Sequence, residues 1–134
     1  MKFITDTNNQ LSFHTVAYEE DIKMCECRVN VSEDGKHWTI SSWYATKGNN
    51  HKGYGKATLK ACLNEIYRVY GLPTCVDYIW NGANSYVIDW LNNHFGAISK
   101  CPIAVQKYAC DDDWDSHIYI LNKDKVLNYF ELVS

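Results

Sequence analysis

Asn50-His51-Lys52-Gly53-Tyr54-Gly55 lies between a strand-like run, His37 to Ala45, and a helix-like run, Lys56 to Tyr70. Two glycines at a strand-to-helix turn let the backbone come close to a ligand, because Gly has no Cβ and tolerates positive φ. The helix that follows presents unpaired N–H groups and the positive end of its dipole. A phosphate or pyrophosphate is the simplest ligand for such a turn. On its own the pattern is equally a plain tight turn.

Three better-known phosphate motifs are excluded by the same residues. A P-loop needs Lys after its second glycine, and Gly53 is followed by Tyr54. A dinucleotide turn needs a third glycine at position 58, which is Thr58. A kinase glycine loop joins two strands, whereas a helix follows here.

Outward from the turn the chain reads as one α+β domain over residues 1–134. Lys2 to Thr5 is a short strand, and Leu11 to Glu20 is ambiguous. Asp21 to Val31 alternates as a strand. Ser32 to Lys36 is a hairpin turn with Asp34-Gly35 at its centre. His37 to Thr46 returns as a strand, with Trp38, Ile40, Ser42 and Tyr44 on one face and Thr39, Ser41, Trp43 and Ala45 on the other. Leu59, Cys62, Leu63 and Ile66 form an apolar stripe at helical spacing, and Gly71 with Pro73 ends that helix. Thr74 to Trp80 is a short apolar strand, so strand, helix and strand form a crossover unit with parallel outer strands. Ser85 to His94 is a second helix. Ile98 to Ala109 and Ser116 to Leu121 are strands flanking an acidic loop, and Lys123 to Leu132 is either a helix or an edge strand.

Bulk properties narrow the class. Apolar residues make up 46% of the 134, enough for a core and too many for a disordered chain. A net charge of −3 argues against a broad nucleic-acid surface and is compatible with a small amine or a basic protein as partner. No apolar run reaches membrane-spanning length, and MKFITDTNNQ has no secretory apolar core, so a cytoplasmic location is expected. The six cysteines read as reduced structural thiols. Cys25 and Cys27 share a strand face, but no second pair completes a zinc site, and no metal is expected.

The order of hairpin, glycine turn, long helix, short strand, Asn-bearing turn, helix and two late strands resembles the GNAT N-acetyltransferases. The family signature is Arg/Gln-x-x-Gly-x-Gly/Ala. Here Gly53-Tyr54-Gly55 matches it, and Asn50 departs from its first position. A second motif, an Asn opening a helix that closes on Gly-Phe, is similar to Asn84 through His94-Phe95-Gly96, with the final pair reversed. The likeness covers Trp38 to Ala97. The helices usual near the family's N-terminus are shortened or missing.

The resemblance implies a mixed, mostly antiparallel central sheet with a splayed strand pair, flanking helices and acetyl-CoA as cofactor. It places the pyrophosphate on backbone N–H groups from His51 through Lys52, Gly53, Tyr54 and Gly55 to Lys56, with charge from the two lysines, and counts Asn50 among the cofactor-binding residues. Pantetheine would lie beside Tyr44 and Ala45 and bond Asn84, which equally suits a helix N-cap. The implied activity is direct acetyl transfer to a primary amine, on a small molecule or a protein. In many members the acid is a Tyr seven positions past the Asn; counted from Asn84 this is Leu91, or Trp90 when aligned on Phe95. Tyr86 and His94 are the nearby substitutes, unless the thiolate leaves unaided. Asp77, the one carboxylate in its strand, is a catalytic candidate or a buried structural hydrogen bonder. His37 is a further candidate base, expected in an exposed turn. Asp111-Asp112-Asp113-Trp114 could receive a cationic amine or be a solvated turn. The departures at the acid and base positions leave a second reading open, a CoA-binding sensor or interaction module. A homodimer through the last strands is an analogy with the family.

Overall fold

The structure is a computed structural model that describes residues 1–8, 11–46, 53–80, 85–96 and 117–132. Its core is a six-stranded sheet in sequential order. The strands are β1 (Lys2–Asn8), β2 (Ser12–Glu19), β3 (Ile22–Val31), β4 (His37–Ala45), β5 (Cys75–Trp80) and β6 (His117–Leu121). The helices among the described residues are α1 (Tyr54–Tyr70), α2 (Ser85–Phe95) and α3 (Lys123–Tyr129). Among the described residues only the β4–β5 pair is parallel and the other four are antiparallel, while Ile98 to Ala109, expected as a strand, lies outside the described residues. This is the mixed, mostly antiparallel arrangement expected.

The ambiguous segment at Leu11 to Glu20 is strand β2. Its alternation is weak because Phe13, Thr15 and Ala17, the buried set, include a polar and a small residue. Thr15 is satisfied by a hydroxyl–hydroxyl bond to Thr5 across the hairpin, at 2.7 Å. Only three positions separate β1 from β2, too few for a helix between them. The terminal segment is helical, because Asn122 caps it by accepting from the Lys125 N–H at 3.1 Å.

Helix α1 lies against the face of β2 and β3 that carries Phe13 and Cys27. The Cys62 thiol donates to the Phe13 carbonyl and the Cys27 thiol to that of Thr58. Leu59, Leu63 and Ile66 are fully buried there with Val29, Trp38, Ile40 and Val76. Each such side chain contributes roughly 1.5–3 kcal/mol relative to exposure. The thiols of Cys25, Cys27 and Cys62 are free and buried, as the apolar setting requires.

One strand departs from simple alternation. The β3–β4 register passes from Arg28↔Ser42 to Val29↔Ile40, leaving Ser41 as an extra residue in β4. This bulge reverses the side-chain parity beyond it. Trp43 therefore shares the α1 face with Trp38 and Ile40, not the opposite face that strict alternation gives it. There it meets Trp90 of α2 and Phe130 after α3 edge-on, with ring centroids 5.5 and 6.3 Å away, so α1, α2 and α3 close over one side of the sheet.

Candidate functional site

β4 and β5 are paired only from His37↔Cys75 to Ile40↔Tyr78. β4 runs on to Ala45 and β5 to Trp80, so the two parallel strands part at their C-terminal ends. The bulge at Ser41 sits at the vertex of that parting. Beyond it β4 stays paired with β3, as Trp43↔Cys27 and Ala45↔Cys25, and turns its other backbone edge toward the gap. Open ends of parallel strands are where ligands enter α/β sheets.

The glycine turn adjoins this gap. Gly53 is the N-cap of α1, with φ 82° and ψ −2°, and contributes no side-chain cap. The first turn holds no acidic residue, so the positive end of the helix is not neutralised from within. A Cβ built on Gly53 would meet nothing within 4 Å. Tyr54, Gly55 and Lys56 begin the helix, and their N–H groups have no intrahelical acceptor. The turn is anchored from β4, because the Trp43 indole nitrogen donates to the Gly55 carbonyl at 2.8 Å.

The remaining candidates divide. Tyr44 is exposed at the end of β4 with its ring 6.0 Å from the Lys23 ammonium, and Ala45 is half-buried beside it. The Lys56 ammonium sits 4.3 Å over the Tyr129 ring, a cation–π contact that keeps its charge near the start of α1. His94 stacks on Trp90 at 4.3 Å and donates from Nδ1 to the Trp90 carbonyl at 3.0 Å. A neutral His94 held so has only Nε2 left, and as an acceptor. Asn50, His51, Lys52, Asn84, the side chain of Tyr86, and Asp111, Asp112, Asp113 and Trp114 lie outside the described residues.

Asp77 is fully buried, and its neighbours Val76 and Tyr78 rather than Asp77 itself join the core cluster with α1. Its Oδ2 accepts from His37 Nε2 at 2.7 Å, and its Oδ1 is buried with no hydrogen-bond partner among the described residues. His37 is not in the turn, as expected from sequence, but opens β4, one quarter exposed. The partnership escapes a linear reading because 40 residues separate the two and the parallel register alone joins them. Cys75 belongs to the same cluster: one donor atom each from His37, Cys75 and Asp77 lie within 4.8 Å of one another.

No known family profile matches this sequence, and a search of curated proteins finds no related sequence. Solved structures do match the fold. Nourseothricin acetyltransferase superposes with a TM-score of 0.62 at 15% identity, covering 85% of this chain and 66% of that one. The PaiA N-acetyltransferase of Thermoplasma acidophilum, solved with coenzyme A, gives 0.60 at 12% identity over 84% and 62%. An acetyltransferase of Desulfovibrio desulfuricans assigned to the GNAT family gives 0.58 at 13% identity over 85% and 69%. The chain thus spans about two thirds of the length of these neighbours. At such identities the likeness establishes the fold. Among the described residues no helix is long and apolar enough to cross a membrane.

Proposed function

We propose that this chain, which has the GNAT fold, is an acetyl-CoA-dependent N-acetyltransferase acting by direct transfer to a primary amine. The observation that carries the reading is the parting of β4 from β5 beyond Ile40 and Tyr78, beside the uncapped start of α1 at Gly53. A pantetheine arm has a strand edge to pair with from Ser41 to Ala45 that β5 leaves open. A pyrophosphate has a helix N-terminus without an opposing carboxylate.

In this reading the amine nitrogen attacks the thioester carbon, a C–N bond forms, and the C–S bond breaks with its electron pair leaving on sulfur. CoA departs as a thiolate, whose ordinary pKa near that of Cys makes it a fair leaving group without an acid. Tyr86 and His94 are then dispensable, and His94 is already engaged with Trp90. Asp77, one position before the last β5 residue paired with β4, is the carboxylate that takes the ammonium proton, directly or through water, with His37 fixing its orientation. The acidic run at Asp111, Asp112 and Asp113 with Trp114 is assigned to attraction of a cationic acceptor, such as a polyamine or a protein lysine.

A CoA-binding module with little turnover is the second reading, favoured by Leu91 and Trp90 standing where many relatives of this fold hold a Tyr acid. Release of free thiol from acetyl-CoA, measured against a panel of polyamines and lysine peptides, separates the two. Amine-dependent release supports transfer; saturable binding without release supports the module.

A further inference from the structure

We propose that His37, Cys75 and Asp77 form a binding site for a zinc-class divalent cation at the closed end of the β4–β5 pair. The strand geometry assembles the site. His37 and Cys75 are partners in register, and Asp77 lies two positions past Cys75, on the same face as both. The donor atoms already lie within 4.8 Å of one another. Tetrahedral zinc, with bonds of about 2.0–2.3 Å, holds such donors roughly 3.2–3.6 Å apart, so side-chain adjustments on the order of 1 Å close the cage.

The buried carboxylate is the second observation. Asp77 is wholly inaccessible, yet only Oδ2 has a hydrogen-bond partner among the described residues. A buried unsatisfied oxygen destabilises the fold, and a cation beside the carboxylate removes that penalty. The donor set selects the metal. Thiolate with imidazole favours zinc and cobalt, whereas magnesium and calcium take oxygen donors. Three protein ligands leave a fourth position for water, and the partly exposed His37 gives a path in. Binding requires the Cys75 thiolate and neutral His37, so the thiol proton leaves to solvent.

The site shares Asp77 with the acetyl-transfer reading. If both hold, they are exclusive uses of Asp77, since the cation occupies the lone pairs that would receive the amine's proton.

The test is titration of the full, chelator-treated chain with Co²⁺, followed by absorbance. The expected result is a thiolate-to-cobalt charge-transfer band in the near ultraviolet with visible bands of tetrahedral cobalt. They should saturate at one equivalent and be displaced by Zn²⁺. The charge-transfer band should vanish in Cys75→Ser, and affinity should fall at least tenfold in His37→Gln. Absence of the bands in the unmodified chain overturns the proposal, as does their persistence in Cys75→Ser, which would assign them to another cysteine. The unmodified chain decides the matter even if a variant misfolds. None of these readings depends on turnover.

Discussion

The indole nitrogen of Trp43 donates to the carbonyl oxygen of Gly55 at 2.8 Å, tying the end of β4 to the first turn of α1. The bond crosses the proposed cofactor site at its base, linking the strand edge offered to pantetheine with the turn offered to pyrophosphate. The indole is also packed against Trp90 and Phe130, so the link is held from behind by α2 and the C-cap of α3.

Trp43→Phe keeps much of that packing and removes the donor. The expected loss of stability is about 0.5–1.5 kcal/mol for the hydrogen bond, with some addition for the smaller ring. Acetyl-CoA affinity should fall as well, because the turn loses its tether. Urea denaturation and ligand titration on the same variant measure both.

Gly53 separates stability from binding. Its φ of 82° makes Ala costly, by roughly 1–2 kcal/mol. Asn tolerates that conformation better, and the open space around the position leaves room for its side chain in the free protein. Gly53→Asn should therefore keep most of the stability while losing at least tenfold in acetyl-CoA affinity, about 1.4 kcal/mol. Equal affinity in Gly53→Asn and the unmodified chain would remove the turn from the cofactor site.

Deleting Ser41 tests the bulge. Without the extra residue, Trp43 and Ala45 turn to the other face and the indole leaves its pocket between α1, α2 and α3. The expected cost is on the scale of a large core truncation, about 3–5 kcal/mol. Replacing Ser41 by Ala leaves the count of residues unchanged and should cost far less. Thermal unfolding of the two variants distinguishes them.

Asp77→Asn preserves the shape of the side chain and an oxygen acceptor for His37, so the fold should survive. The proposed role of Asp77 as proton acceptor predicts a kcat loss of about 10²–10⁴ with little change in KM for acetyl-CoA. A kcat within about twofold of the unmodified chain would leave Asp77 a structural or metal-binding group.

The parts of the fold written in local pattern are legible in the sequence. The stripe of Leu59, Cys62, Leu63 and Ile66 marks α1, Asp34-Gly35 marks a hairpin, and the glycine pair marks the turn. β2 is obscured because burial falls on Thr15 and Ala17, whose side chains carry little apolar signal. The bulge is invisible because Ser41 looks like any other position in an alternating strand. The cluster of His37, Cys75 and Asp77 is hidden for another reason: strand register brings it together across a helix and a turn, and no spacing within one segment encodes it.

Calorimetric titration of the full chain with acetyl-CoA tests the central claim most directly. The account expects one saturable site in the micromolar range, about −8 kcal/mol, weakened by Gly53→Asn. No saturable heat over several temperatures, for acetyl-CoA and CoA alike, would contradict it.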